Sequence, residues 1–441
     1  MVVIIYHVGI LLVPGKEGSV MLKQPHIALC IALALLLQPG STNTRKLVQN
    51  GKWDYEKQVT KTEGAFTYHA YFSKDRKEAW IYETSINGNK EHSILQIPEK
   101  INGSTVTCIG FEKDEDLYKN LFGAYEEPYH DSHGSTGETR GIKKITIPDS
   151  VSVIHSTAFC GMTGLKEVTI PANVRELKDF VFYGCTSLET LNLPDAMDKI
   201  DVSALRGCPK LKKIKISSNN KTFTTKGKFL LERKGNALIY AMPYKGKMRI
   251  PEGVKILRQN AFINSSPKEV YIPASVKKIE KFTFGTLSIN EGCKIKNVKV
   301  SSKNKVFARE GQCIYNKKEK SLSVAVLNNK GVLKIPDKIE NLTNTYSIVN
   351  YTSDGKYFKK VVFPKKLKTV TVPAFSAITD VRRVYFTGKK PPVIKNKLEY
   401  YASLPVFTDI YVPADSDKIY KEWYKKYDCL DYVDNWHTFN P

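Results

Sequence analysis

The stretch Leu165–Cys185, LKEVTIPANVRELKDFVFYGC, decides the reading, because its neighbours say nearly the same thing. Ile142–Gly161 is IKKITIPDSVSVIHSTAFCG, and Leu188–Cys208 is LETLNLPDAMDKIDVSALRGC. Each unit opens on an LxxLxL triplet (Leu165, Val168, Ile170) and turns at a proline (Pro171). Apolar residues return three and six positions later (Val174, Leu177), and the unit closes on a small-aromatic pair (Val181, Phe182) and Gly-Cys. Pro148, Pro171 and Pro194 lie 23 residues apart, with Ser217 at the next such place; Pro251 and Pro273 lie 22 apart. Longer steps follow to Pro336, Pro364 and Pro413.

The last two apolar residues of a triplet are two apart, so they share one face of a strand while the residue between them faces out. Proline cannot donate to a ladder and marks the strand's end. One unit cannot bury its apolar face alone, so units must stack into a continuous core. A period of about 20–29 residues with LxxLxL is that of leucine-rich repeats. The prediction is a mainly β solenoid, with Ile145, Val168, Leu191 and Ile214 stacked in register, and likewise Ile147, Ile170, Leu193 and Ile216. Phe159, Phe182, Phe262, Phe284 and Phe375 should be buried on the opposite arm.

The pattern LxxVxIPxxVxxIxxxAFxxC resembles the BspA-like leucine-rich repeat family of bacterial surface proteins. Proline stands where other repeats carry asparagine. EHSILQIPEKINGSTVTCIG, from Glu91, resembles a first repeat, and the resemblance spans roughly Gly64 to Pro413. It implies a right-handed superhelix with a parallel sheet on one face, and attachment to host matrix proteins or to other cells.

The chain has 441 residues, 41% hydrophobic and 25% charged, which suits a large packed core and excludes a disordered chain. The segment from Met21, MLKQPHIALCIALALLLQPGST, sets Lys23 before eleven apolar residues and then Pro39, Gly40 and Ser41. That is the layout of a signal peptide, too short to span a bilayer at about 20 residues. An uncleaved anchor is the alternative, and the lipoprotein box around Cys30 is poor. The expected organisation is a leader over residues 1–42, with Met21 as the start, and a cap and first-repeat lead-in over 43–92. The solenoid covers 93–413 and a C-terminal cap 414–441. Without Cys30, seven cysteines remain, an odd number. Cys185 and Cys208 share a repeat position with Met162, which points to packed thiols rather than a disulfide.

Three segments break the repetition. ISSNNKTFTTKGKFLLERKGNALIYA, from Ile216, and VSSKNKVFAREGQCIYNKKEKSLSVA, from Val300, match each other. Both read as hairpins growing from the solenoid around a Lys-rich turn, with Phe223 equivalent to Phe307. Phe111–Gly141 is a polar, Gly-rich and aromatic excursion. After Pro413 a short helix from near Ser416 should cap the last coil, because solenoid ends need caps.

The most catalytic-looking cluster is EEPYHDSH, with Glu126, Glu127, His130, Asp131 and His133; it reads better as a solvated loop than as a metal site. His155 reads as a packing or surface residue. No nucleophile elbow, phosphate loop, HExxH or CxxC zinc spacing is present, so the sequence calls for no catalysis, cofactor or metal. Charge is more informative: 68 Lys+Arg against 44 Asp+Glu gives +24, a field that attracts acidic partners. The outward positions of the triplets hold Lys212, Lys213, Lys215, Lys268, Lys296, Lys299, Lys359, Lys360, Arg382 and Arg383, with Tyr271, Tyr385 and Tyr411 at the middle outward place. Stacking would turn these into basic columns with aromatic patches, a candidate ligand-binding face. The expected function is therefore an exported, non-catalytic recognition or adhesion protein for a protein or acidic host-matrix ligand. The alternative is a periplasmic or surface glycan and polyanion binder. Export argues against nucleic acid, the mature chain has no expected membrane span, and oligomeric state stays open. Asn102, Asn264 and Asn341 begin glycosylation triplets that would matter only in a eukaryotic host.

Overall fold

The computed structural model describes residues 52–87, 92–110, 140–234, 236–284, 295, 297–326, 331–343, 359–371, 381, 383–395, 409–426 and 435–440. The expected leader, most of the Phe111–Gly141 excursion with its EEPYHDSH cluster, Lys296, Phe375 and Arg382 lie outside the described residues.

The chain winds as a mainly β solenoid of about eleven turns. Its first ladder is built from the LxxLxL segments, all parallel. Ile94–Gln96, Lys144–Thr146, Glu167–Thr169, Thr190–Leu193 and Lys213–Ile216 form one hydrogen-bonded run. Lys247–Arg249, Glu269–Ile272 and Val298–Val300 form a second. Val332–Lys334, Lys360–Phe363, Arg383–Phe386, Asp409–Pro413 and Asn435–Phe439 form a third. Leu191 pairs with Val168 and Ile214, and Leu193 with Ile216, as the repeat predicts.

The rungs are short because each proline starts a turn. The amides of Val151, Val174, Met197 and Ile339 donate back to the carbonyls of Pro148, Pro171, Pro194 and Pro336 at 2.9–3.2 Å. That turn brings the apolar residue three places after proline under the core and starts a second parallel ladder. This ladder includes Glu176–Leu177 on Lys199–Ile200 and Ile256–Leu257 on Lys278–Ile279. Phe159, Phe182, Phe262 and Phe284 are buried on this arm, with Phe159 and Phe182 stacked at 5.7 Å. The residue two places before each of these phenylalanines (Thr157, Phe180, Asn260, Phe282) has φ between 55° and 61°. A non-glycine there costs about 1–2 kcal/mol, borne by the packing of the aromatic that follows.

Both hairpins form, with matching registers: Phe223 pairs with Glu232 and Phe307 with Asn316, and each carries a bulge in its second strand pair. They do not stand off the solenoid. The return strands Ala237–Ala241 and Ser321–Ala325 are buried along their length and pair in parallel with the next rungs of the second ladder. Alternation in ALIYA and SLSVA hides this, because both faces are covered.

The two ends are closed differently. At the N-terminal side, β1 (Trp53–Glu63), β2 (Phe66–Ser73) and β3 (Glu78–Ile86) make an antiparallel meander, and β3 pairs in parallel with Ser104–Ile109. Phe66, Tyr68, Ala70 and Phe72 lie buried in the core of the first coils. At the other side, helix α1 (Asp417–Lys425) follows Ser416. It packs Tyr420 and Trp423 on Phe386 at 5.2 and 5.9 Å, and Tyr420 Oη donates to the carbonyl of Gly388. The strand after it, Asn435–Phe439, returns as the last rung of the first ladder, a rung the repeat pattern does not announce.

Cys185 and Cys208 are buried thiols, each donating to a carbonyl of the preceding coil, Phe159 and Phe182, at 3.1 Å. Met162 is equally buried.

Candidate ligand-binding face

On the first ladder, residues that alternate with the core point to solvent, and hydrogen-bonded register stacks them into two outward columns. One column runs Lys144, Glu167, Thr190, Lys213, then Lys247 and Glu269, then Lys360, Arg383, Asp409 and Asn435. The other runs Gln96 and Thr146, then Thr169, Asn192 and Lys215, then Arg249, Tyr271 and Lys299. It continues through Lys334, Val362, Tyr385, Tyr411 and His437.

The columns are not uniformly basic. Glu167, Glu189, Glu269 and Asp409 also occupy outward places, so several candidate lysines are ion-paired. Lys215 lies 3.4 Å from Glu167, Lys299 lies 2.9 Å from Glu269, and Lys212 pairs with Glu189. Lysine donation holds the carboxyls of Glu189 and Glu269 below the usual range; at Glu167 the Asn192 amide leads and Lys215 follows. Lys213, Lys268 and Lys359 are exposed.

The later coils are different in kind. Their second column is cationic and aromatic, where the early one is neutral and polar through Gln96, Thr146, Thr169 and Asn192. The Arg249 guanidinium lies 4.0 Å from the centre of the Tyr271 ring, and Lys360 Nζ lies 3.8 Å from that of Tyr385. Tyr385 and Tyr411 stack at 4.1 Å with an interplanar angle of 5°, and His437 continues the stack at 4.4 Å and 16°. Phe439 meets the edge of Tyr385 at 5.8 Å. Desolvation, with Tyr385 beside it, raises the Tyr411 phenol above its ordinary value, so Tyr411 stays a protonated donor. Asp409 closes the cationic run, accepting from Asn435 at 2.8 Å and lying 3.8 Å from His437.

The structure thus brings Lys360, Arg383, Tyr385 and Tyr411 into one patch with Lys359 beside it. It places Tyr271 and Lys268 in a separate patch, and Lys212, Lys213 and Lys215 in the early coils. Sequence reasoning missed Lys247, Arg249, Lys334 and His437. YKGKMRIPEG from Tyr244 does carry a triplet ending in proline, with Met248 and Ile250 inward, and would have yielded the first two. His437 had no repeat signal, because its rung follows a helix.

The outer surface of the second ladder is charge-paired from coil to coil: Arg175 with Asp198, Lys199 with Glu176, and Arg258 with both Glu232 and Glu280. Lys320 and Lys368 clamp Glu340 at 2.6 Å each and hold its carboxyl down at about 2. His155 lies inside this arm, buried against the Trp80 ring at 4.9 Å, and burial pushes its imidazole down to about 3 with Lys178 adding to the effect. It is a packing residue. Two of the three glycosylation triplets are also structural: the Asn264 amide donates to Leu205 and Tyr240 and accepts from Gly207, and Asn341 donates to Glu319 and accepts from Thr369. Among the described residues no three His, Cys, Asp or Glu side chains gather as a metal site, and no helix is long and apolar enough to cross a membrane.

No curated protein matches the chain. Among solved structures it is similar to the pneumococcal vaccine antigen PcpA, with 16% identity over 87% of this chain and 99% of that one and a TM-score of 0.37. It is similar to a leucine rich cell surface protein from Faecalibacterium prausnitzii, with 16% identity over 78% and 96% and a TM-score of 0.34. A leucine-rich repeat protein from Bacteroides ovatus gives 15% identity over 85% and 99%, with a TM-score of 0.29. Values this low do not bear on what the chain binds. Residues 137–229 and 242–325 match the family model described as BspA type Leucine rich repeat region, in 6 copies. With the stacked triplets, the proline turns and the buried phenylalanines in place, the chain carries BspA-type leucine-rich repeats over residues 137–229 and 242–325.

Proposed function

We propose that this is an exported, non-catalytic surface recognition protein, and that the later coils of its first ladder are the contact face for an acidic ligand. One observation carries the reading: Lys360 and Arg383 stand on successive rungs beside the Tyr385–Tyr411–His437 stack, with Asp409 the acidic group that ends the run. Cations supply long-range attraction, and tyrosines add contact area at low entropy cost. On the second ladder, by contrast, cations such as Arg175, Lys199 and Arg258 are ion-paired from coil to coil, and no aromatic stack accompanies them among the described residues.

The test is an array of matrix proteins and acidic glycans probed with the purified chain at two salt concentrations. Replacing Lys359, Lys360 and Arg383 with Ser should weaken binding most at low salt, where screening is least. Replacing Tyr385 and Tyr411 with Ala should weaken it at every salt concentration. Binding that ignores both variant sets refutes this face.

A further inference from the structure

We infer that the ligand of this patch is a linear polyanionic polysaccharide, lying across the rungs along the solenoid axis; the inference rests on the recognition reading above. Three features of the patch select this chemistry over an acidic polypeptide.

The first is what the aromatic rings present. Each face of Tyr385 is taken, by Lys360 Nζ on one side and by the Tyr411 ring on the other. Tyr411 is likewise closed by Tyr385 and His437. The rings therefore offer edges and hydroxyls rather than flat platforms. The Tyr411 phenol, held above its ordinary value beside the stacked Tyr385 ring, stays a donor, and the pair offers hydroxyls rather than ring faces. Hydroxyl donors between ammonium and guanidinium groups suit sulfate or carboxylate oxygens and sugar hydroxyls.

The second is the shortage of apolar anchorage. The inward residues of these rungs, Leu333, Val361, Val384 and Ile410, are fully buried and closed to a ligand. Apart from the closed rings, the two outward columns of these rungs contribute only Val332 and Val362 among the described residues, both half-buried. A polypeptide partner draws most of its affinity from a few side chains seated in desolvated pockets. A polysaccharide needs none, since charge-assisted hydrogen bonds spread along its length can hold it.

The third is spacing. Lys334, Lys360 and Arg383 come from three consecutive strands, which recur at about 4.8 Å along the axis. Lys360 and Arg383 stand in one column and Lys334 flanks them in the other, so cations recur from strand to strand and meet a polymer whose charges repeat along its own axis. Asp409, on the fourth strand, repels such a polymer and ends the site.

The probes are heparin oligosaccharides of graded length, chemically desulfated heparin and poly-L-glutamate, titrated calorimetrically into the full chain. Affinity for heparin should rise with length until the oligosaccharide spans the three cationic rungs, and desulfated heparin should bind poorly. Lys360→Ser with Arg383→Ser should weaken heparin binding roughly tenfold at low salt, near the worth of one hydrogen bond to a charged group. Tyr385→Phe, which keeps the stack and removes one hydroxyl, should weaken heparin several-fold with an unchanged far-UV spectrum and thermal midpoint. If poly-L-glutamate binds as tightly as heparin and is equally sensitive to the Lys360 and Arg383 variants, the polysaccharide assignment falls while the recognition face stands. If neither polymer responds to these variants, the face falls with it.

Discussion

Asn220 and Asn304 hold the two hairpin modules by matching hydrogen bonds. Each sits where an ordinary repeat has the apolar residue three places after proline, and each is about 1% exposed. The Asn220 amide nitrogen donates to the carbonyls of Pro194, Asp195 and Met197 in the preceding coil, and its oxygen accepts from the amides of Thr222 and Phe223. Asn304 donates to Pro273 and Val276 and accepts from Val306 and Phe307. The side chain ties the turn of one coil to the start of the hairpin, which is why Phe223 and Phe307 occupy equivalent places.

Asn220→Ala and Asn304→Ala should each destabilise the protein by about 3 kcal/mol, because several buried backbone groups lose their partners at about 1–3 kcal/mol each. Urea unfolding measures the loss. Asn220→Asp sets a buried carboxylate against three carbonyl oxygens, so at pH 7 it should cost at least as much as alanine. An alanine variant within about 0.5 kcal/mol of wild type would show the clamp to be dispensable.

His155 should make stability depend on pH. Its folded value near 3 lies below that of an unfolded histidine, so the unfolded chain binds the proton first. The contribution is whole above about pH 6.5 and is lost as pH falls from there towards 3, at no more than about 1.4 kcal/mol per pH unit from this group. His155→Phe, which keeps a ring against Trp80, should flatten that part of the profile in thermal unfolding monitored between pH 4 and 7.

Glu340 acts at lower pH. The Lys320 and Lys368 clamp holds it near 2, below an unfolded glutamate, so its contribution is present above about pH 4.5 and fades as pH falls towards 2. Glu340→Gln should lower stability at pH 7 and converge on wild type below pH 2. Equal differences at both pH values would exclude the ion clamp as the cause.

The repeat-position thiols should stay reduced and shielded. In native protein Cys185 and Cys208 should resist iodoacetamide, and both should alkylate after denaturation without added reductant. A mass shift showing a Cys185–Cys208 disulfide would contradict the buried thiols that donate to the carbonyls of Phe159 and Phe182.

Phe182 carries the core argument most directly. Fully buried and stacked on Phe159, it should cost about 3–5 kcal/mol on replacement by alanine, and its equivalent Phe262 should behave alike.

The sequence by itself determined the coil. Period, proline and the two-residue spacing of Val168 and Ile170 specify which side chains turn inward, because a strand's faces alternate and only one can be buried. The same spacing located Tyr385, Tyr411, Lys360 and Arg383 on the outward side. Tertiary structure decided which of the outward charges remain available. Glu167 lies two rungs and Glu269 one rung from a lysine distant in sequence, and only the register of the strands shows that Lys215 and Lys299 lean onto them. It also decided that the hairpins fold into the second ladder, since their strands are buried by coils that come later in the chain. The rung of Asn435–Phe439, which sets His437 on Tyr411, is decided the same way. A short segment after a helix has no periodicity of its own, and its place comes from the open edge of the sheet it completes.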